Sequence, residues 1–181
     1  MDWEFYILNQ IRQNWTSDFF DTMMPLISLI GNGILWVLTA VICLVFKKTR
    51  PFGRSLTASL LMGLVTCSLI LKPIVQRIRP YDLNQTISII VQAEKDFSFP
   101  SGHTFFAFGT ATIIFMYNKA LGIAAYLFAA LIAFSRLYLY VHFPTDIICG
   151  MIFGILIAVA AYKIEKMLFV KTHTPKMNTY E

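Results

Sequence analysis

Long apolar runs, separated by short polar segments, dominate the pattern of residues along this chain. Five runs each contain at most one charged residue or histidine, and they cover 22–46, 55–71, 101–118, 120–140 and 143–162. A helix needs roughly 17–25 apolar residues to cross a bilayer, and backbone groups inside lipid must pair internally. The period-two alternation typical of a membrane barrel is absent from these runs. The pattern therefore predicts an all-α integral membrane helical bundle with about five transmembrane helices.

The first twenty residues follow a different pattern. Apolar side chains recur about every four positions, at Trp3, Ile7, Leu8, Ile11 and Trp15, and polar residues fill the other faces. This spacing predicts an amphipathic helix within 1–20, and tryptophan near both ends suits a position in the membrane interface. A helix packed on the surface of its own protein is an equal alternative, and the two are compatible.

Composition supports a membrane protein. Apolar residues make up 57% of the chain and charged residues 14%, against roughly 45–50% and 25% in soluble proteins. A net charge of +5 could indicate a nucleic-acid partner, but the cations concentrate in the 47–54 loop and in the tail after Tyr162. The positive-inside rule places both segments, and the 118–119 turn, in the cytoplasm. The charge is then explained without nucleic acid, and the C-terminus is predicted to be cytoplasmic.

The same topology predicts one polar site. The segments 72–80, 100–103 and 135–146 all fall at helix ends on the extracytoplasmic face of the cell membrane. Charge beside a bilayer is costly, so its presence there indicates function. We expect a single membrane-embedded domain over 1–181. Its parts are the 1–20 helix, the site within 72–146, and a cytoplasmic tail at 167–181.

Three cations in these segments suit a phosphate ligand. Arg79 and Arg136 offer planar forks of donors that match phosphate oxygens, and Lys72 adds a point charge. Ordinary snorkelling of long side chains at helix ends is the alternative. It fits Arg136 poorly, because that residue stands in an apolar run on the non-cytoplasmic side. Arg77, in the same stretch, is interpreted as interfacial.

The Pro100–His103 segment predicts the start of a helix. Free N–H groups at a helix N-terminus form an anion site, and Gly102 lets the backbone approach a ligand closely. Ser101 can add a hydroxyl donor. His103 then lies one residue inside the site, where it could donate a proton. A structural histidine at a helix end is the alternative.

His142 and Asp146 are four residues apart, so on a helix they share a face. A carboxylate on one imidazole nitrogen fixes the tautomer and raises the nucleophilicity of the other nitrogen. A His–Asp surface pair without chemistry is the alternative. Two histidines with Asp146 could also hold a metal, but three nearby cations would repel it. An intramembrane serine protease built on Ser101 would leave those cations unexplained.

These three segments resemble the signature of the type-2 phosphatidic acid phosphatase superfamily, which includes bacterial undecaprenyl pyrophosphatases and vanadium haloperoxidases. The family pattern is K-x6-R-P, then P-S-G-H, then S-R-x5-H-x3-D. Lys72 with Arg79-Pro80 matches the first part, Pro100–His103 the second, and 135–146 the third. No motif position departs from the pattern, and the helical layout extends the likeness over most of the chain.

The resemblance implies a role for each matching residue. His142 would attack phosphorus to form a phosphohistidine, Asp146 would orient it, and His103 would protonate the leaving oxygen. The phosphoryl group would be bound by Lys72, Arg79, Ser101, the backbone of Gly102, and Arg136. Water would then hydrolyse the intermediate, with no metal or organic cofactor. The choice of His142 as nucleophile comes from the resemblance.

The expected function is a lipid phosphatase at the outer leaflet, with a lipid phosphate and the bilayer as its partners. Candidate substrates are undecaprenyl diphosphate, phosphatidylglycerol phosphate, phosphatidic acid and a lipid A phosphate, and the compact chain favours the first. A non-hydrolytic phospholipid-binding or transport protein is the alternative. The intact His103, His142 and Asp146 argue against it, because binding alone needs only the cations. The 81–99 loop is expected to cap the pocket.

Overall fold

The computed structural model describes residues 2–170, which form helices and loops without any strand. This confirms the all-helical prediction. The helices are α1 (Asp2–Trp15), α2 (Asp18–Ile30), α3 (Gly33–Val45), α4 (Arg50–Gly63), α5 (Lys72–Val75), α6 (Pro80–Leu83), α7 (Gly102–Tyr117), α8 (Lys119–Tyr138) and α9 (Pro144–Val170). A π-helical segment, Leu64–Leu71, joins α4 to α5.

Three helical stretches are long and apolar enough to span a membrane: Arg50–Leu83, Lys119–Tyr138 and Pro144–Phe169. The α2–α3 pair makes a fourth if it is counted as one span bent by 41°. The chain is therefore a multi-pass membrane protein. The remaining predicted span, 101–118, corresponds to α7, whose 16 residues extend for about 24 Å at 1.5 Å per residue. A count of five spans therefore stays a prediction.

The first predicted span is broken where the sequence reads Gly31-Asn32-Gly33. The Asn32 side chain caps α3 by accepting the Ile34 N–H at 3.4 Å. A Cβ on Gly31 would lie 2.6 Å from Ile132 Cγ2 and 3.3 Å from His103 Cδ2. The break thus brings backbone against α8 and against the histidine that opens α7.

The N-terminal helix ends earlier than the predicted 1–20 range. Ser17 accepts the Phe20 N–H at 3.3 Å, so its side chain caps a new helix, α2, two residues after α1 ends. Glu4 and Leu8 are buried against the protein, whereas Trp3 and Trp15 are about half exposed. Helix α1 therefore packs on its own protein. The exposed tryptophans suit a membrane interface, and that position stays a prediction.

The bundle has two chemically distinct ends. At one end, the Arg54 guanidinium pairs with Glu165 at 2.7 Å, and the Ser55 hydroxyl lies 3.0 Å from the Tyr117 hydroxyl. The 47–54 loop, the 118–119 turn and residues 163–170, which are predicted to share one side of the membrane, therefore lie at the same end of the bundle. The predicted site segments gather at the opposite end. Helix α9 continues to Val170, so the tail predicted at 167–181 begins as helix, and 171–181 lie outside the described residues.

Helix α7 lies at the centre, between α8 and α9, and most of its residues are buried. Small residues allow α7 and α9 to approach closely, as is common in membrane bundles. A Cβ on Gly154 would lie 2.3 Å from the Phe105 carbonyl oxygen, and one on Gly109 would lie 3.3 Å from the Gly154 carbonyl oxygen. This contact fixes α7 against the helix that carries Asp146.

We expect Gly154→Ala to destabilise the bundle. The added methyl group meets backbone that cannot rotate away, and such overpacking costs about 1–3 kcal/mol in the free energy of unfolding. The measurement is the midpoint of thermal unfolding in detergent. Gly33→Ala is the matched control, because no atom lies within 4 Å of its added Cβ. Equal midpoints for Gly154→Ala and wild type would contradict this packing.

Candidate active site

The stretch from Lys72 to Pro80 follows a short, bent path. Helix α5 ends at Val75, and the next residue, Gln76, adopts a left-handed conformation with φ 48° and ψ 38°. Arg79 is extended, with φ −75° and ψ 153°, as expected of a residue before proline. This path carries the side chains of Lys72, Arg77 and Arg79 to the end of the bundle where α7 and α9 begin.

The three predicted phosphate-binding cations lie close together, and each contacts a carboxylate from the loop before α7. Lys72 Nζ is 2.5 Å from Asp96 Oδ2, and Arg79 Nη2 is 2.5 Å from Asp96 Oδ1. Arg79 Nη2 is also 2.5 Å from Glu94 Oε2, and the other oxygen of Glu94 pairs with Arg136. Two carboxylates thus link all three cations into one cluster, with Asp96 between Lys72 and Arg79 and Glu94 between Arg79 and Arg136. The loop covers the site, as expected for a cap.

Arg136 reaches this cluster from the end of α8. It is 3% exposed and also donates to the Ser28 hydroxyl. Its buried Nε–H has no hydrogen-bond partner among the described residues. A buried donor of this kind is costly unless a ligand accepts from it. The guanidinium can therefore bind a further oxygen.

A cavity of about 390 Å³ opens beside the cation cluster. Its wall includes Lys72, Gly102 and His103, together with Gly31 and Gly33 from the α2–α3 break. The loop contributes Glu94, Lys95 and Asp96. The start of α7 therefore faces the same cavity as Lys72 and the two loop carboxylates.

Ser101 is placed differently from its predicted phosphate-binding position. It is fully buried as the N-cap of α7, where its hydroxyl oxygen lies 3.5 Å from the Thr104 N–H and 3.0 Å from the Thr104 hydroxyl. Its backbone N–H donates to the Asp146 carbonyl oxygen at 3.1 Å. Ser101 thereby joins the start of α7 to the start of α9.

His142 is fully buried in the turn between α8 and α9. Arg79 Nη1 lies 3.3 Å from His142 Nε2. An arginine in a protein remains protonated and can only donate, so Nε2 must accept and Nδ1 carries the proton. Burial, then Arg79 and Arg136, hold the pKa of His142 well below its ordinary value. The imidazole is therefore neutral at pH 7, with the Nε2 lone pair directed at the cation cluster.

The predicted pairing of His142 with Asp146 is indirect. His142 Nδ1 is 3.6 Å from Asp146 Oδ2, which is beyond a good hydrogen bond. Ser98 lies between them: its hydroxyl donates to Asp146 Oδ2 at 2.5 Å and lies 3.4 Å from His142 Nδ1. The Nδ1 proton can therefore reach the carboxylate through the serine oxygen. Asp146 also accepts the Phe143 N–H at 2.9 Å, which fixes the first turn of α9.

The loop carboxylates remain ionised in this setting. Burial alone would raise the pKa of Glu94, but the positive charges of Arg136 and Arg79 lower it to about 2. Burial opposes ionisation of Asp96 in the same way, but Lys72 and Arg79 lower its pKa below the usual range. Both acids therefore carry full charge at neutral pH and neutralise part of the cation cluster.

Sequence reasoning missed several residues of this site. Glu94 and Asp96 were assigned only to a capping loop, and Ser98 and Glu4 belong to no recognisable spacing. Arg77 is not merely interfacial, because its Nη1 donates to Asp146 Oδ1 at 2.6 Å. One signal could have found it: side chains two apart in extended chain point the same way, and Arg77 stands two before Arg79.

The comparisons with known proteins agree with these motifs. Residues 22–169 match the PAP2 superfamily. An undecaprenyl-diphosphatase from Sulfolobus acidocaldarius is 28% identical over 144 residues, 79% of this chain and 69% of that protein. Phosphatidylglycerophosphatase B from Bacillus subtilis is 28% identical over 171 residues, 81% of this chain and 74% of the relative.

A solved structure has the same fold. The crystal structure of a transmembrane PAP2-type phosphatidylglycerolphosphate phosphatase from Bacillus subtilis superposes with a TM-score of 0.75 at 23% identity. The match covers 90% of this chain and 84% of the other. With the three motifs gathered at one end of an all-helical membrane bundle, the chain belongs to the PAP2 superfamily.

Proposed function

We propose that the protein is a lipid phosphatase that removes a phosphate from a lipid phosphate or diphosphate monoester through a phosphohistidine on His142. One observation carries the proposal. A buried, neutral imidazole directs Nε2 at Arg79, within a cluster of three cations that two carboxylates link together. Mere anion binding needs the cations but not this nucleophile.

The proposed reaction has two steps. In the first, His142 Nε2 bonds to phosphorus as the bond to the lipid oxygen breaks, and His103 gives that oxygen a proton. In the second, His103 takes a proton from water, whose oxygen attacks phosphorus and breaks the N–P bond. Lys72, Arg79 and Arg136 stabilise charge on the equatorial oxygens in both steps. No step needs a metal ion.

An apolar groove next to the site can hold the carbon chain of the substrate. An apolar groove of about 250 Å³ runs between α3, α7 and α8, and its wall includes Ile30, Trp36 and Ile132. Gly31, which follows Ile30, lines the polar cavity and lies against Ile132. The groove and the cavity therefore adjoin at the α2–α3 break. This arrangement supports a substrate with an apolar chain and a phosphate head.

Undecaprenyl diphosphate is the favoured substrate within this class. The similarity to a relative that bears the name undecaprenyl-diphosphatase supports it. Phosphatidylglycerol phosphate is the next candidate, on the similarity to phosphatidylglycerophosphatase B. We place the site at the extracytoplasmic face, because the cation-rich loop 47–54 lies at the other end of the bundle.

The first prediction concerns the reaction itself. The purified protein should release phosphate from at least one member of a panel of detergent-solubilised undecaprenyl diphosphate, phosphatidylglycerol phosphate, phosphatidic acid and lipid A phosphate. His142→Ala should lower turnover by about 10⁴-fold or more, because the attacking atom is lost. Thermal unfolding checks that the variant is folded. No release from any lipid by folded wild type would refute the proposal.

A second prediction concerns Ser98. Ser98→Ala breaks the link from His142 Nδ1 to Asp146, so kcat should fall by about 10- to 100-fold, while KM should stay within a few-fold. Steady-state kinetics on the best lipid of the panel measures both. Ser59→Ala, a buried serine on α4, is the matched control. An unchanged kcat for Ser98→Ala would show that the serine does not support the nucleophile.

A third prediction concerns the loop carboxylates. Glu94 occupies donors of Arg79 and Arg136 that a phosphate needs, so Glu94→Gln should let inorganic phosphate inhibit several-fold more strongly. The measurement is the inhibition constant for phosphate at pH 7. Asp82→Asn removes an exposed acid from the neighbouring helix α6 and controls for net charge. Equal or weaker inhibition of Glu94→Gln would mean that the carboxylate does not compete with phosphate.

A further inference from the structure

The N-terminal helix buries a carboxylate next to the candidate site. Glu4 is 4% exposed, although it belongs to the first turn of a helix on the outside of the bundle. Its Oε1 accepts the Thr145 hydroxyl at 2.6 Å, and its Oε2 accepts from Arg77 Nη2 at 2.6 Å. A buried carboxylate is costly unless it is paired in this way. Both side chains that Glu4 accepts from, Thr145 and Arg77, therefore lie next to Asp146.

Arg77 connects Glu4 to Asp146. One nitrogen, Nη2, donates to Glu4, and the other, Nη1, donates to Asp146 Oδ1 at 2.6 Å and to the Thr145 hydroxyl at 2.6 Å. The guanidinium carbon lies 4.1 Å from the centre of the Phe143 ring. The planar group is therefore held on its edge by two carboxylates and on its face by an aromatic ring. Its orientation depends on α1 as well as on α9.

The two carboxylate oxygens of Asp146 have different hydrogen-bond partners. Oδ2 accepts from Ser98 and from the Phe143 N–H, and it is the oxygen that faces His142. Oδ1 accepts from Arg77. A carboxylate held at one oxygen only can rotate about its bond to Cβ. Arg77 therefore prevents a rotation that would move Oδ2 away from Ser98.

The backbone of Arg77 contributes to the same geometry. Its carbonyl oxygen accepts the Ser98 N–H at 2.8 Å. The residue that orients Asp146 through its side chain thus also fixes the serine that links Asp146 to His142. The loop before α7, the 76–79 segment and the start of α9 meet at this one arginine.

We propose that Arg77 and Glu4 are positioning residues for His142, with Glu4 acting through Arg77. The N-terminal helix is then part of the machinery that orients the nucleophile, in addition to any contact with the membrane. This inference rests on the proposed function, because it assigns the orientation a consequence in phosphoryl transfer. Neither residue contacts the cavity that receives the phosphate, so both should affect turnover rather than binding.

A double-mutant cycle tests the dependence of Glu4 on Arg77. Glu4→Gln and Arg77→Gln should each lower kcat by about 10- to 100-fold with KM within twofold of wild type, because the nucleophile is misplaced while the phosphate site is intact. The double variant should be no slower than Arg77→Gln, within twofold. Independent, multiplying losses would overturn the proposal.

A matched control separates positioning from simple docking of α1. Arg12 on the same helix pairs with Asp21 on α2 at 3.3 Å, and Arg12→Gln loosens α1 without altering Asp146. It should leave kcat within twofold of wild type. A loss in Arg12→Gln as large as that in Glu4→Gln would assign Glu4 a purely structural role and overturn the proposal. Arg77→Lys, which keeps the charge, should recover part of the activity lost in Arg77→Gln.

A readout without turnover keeps this inference separate from the proposed function. The Phe143 amide is held by Asp146 Oδ2, so its hydrogen exchange reports the orientation of that carboxylate. Exchange of the 139–149 segment should be faster in Arg77→Gln and Glu4→Gln and unchanged in Arg12→Gln. Unchanged exchange in the first two would overturn the positioning role even if every lipid were hydrolysed. If the wild-type protein hydrolysed no lipid while exchange was faster in Arg77→Gln and Glu4→Gln, only the proposed function would be refuted.

Discussion

Three cations buried side by side set the constraint on which this structure depends. Lys72, Arg79 and Arg136 are at most 6% exposed and are linked to one another through the carboxylates of Glu94 and Asp96. Like charges so close, beside a bilayer, are unfavourable unless anions compensate for them. In this chain Glu94 and Asp96 provide the compensation. In the proposed function the same positive charge binds the phosphate, so the capping carboxylates and the substrate would compete for the same donors.

The fold brings several helix ends together at the cation cluster. Helix α7 starts at the site, lies between α8 and α9, and is held there by the close contact of Gly154 with the Phe105 backbone. The turn after α8 then delivers His142 to the side of Arg79. Because His142, the proposed nucleophile, is positioned by the backbone of this turn, its position depends on packing throughout the bundle. The α2–α3 break completes the cavity and links it to the apolar groove.

Much of this arrangement follows from the sequence. The apolar runs predict the helices, and the motif spacing predicts which side chains meet, because Lys72, Gly102, His103 and Asp146 all occur at helix ends. The Gly31-Asn32-Gly33 break and the Ser17 cap also have local sequence signals. The pattern of apolar residues continues past both positions, however, and it predicts unbroken helices there. No local sequence signal predicts the contacts of Glu4, Glu94 and Ser98. They depend on where a loop or a distant helix packs, and no periodicity in one sequence reports that.

The central claim is that His142 carries the phosphoryl group. The most direct measurement is to quench the protein during turnover of a lipid phosphate under alkaline conditions and to locate the phosphoryl group by mass spectrometry of its peptides. The account predicts a phosphoryl group on His142 that is lost in acid. A phosphoryl group on any other residue, or none on the protein while phosphate is being released, would contradict it.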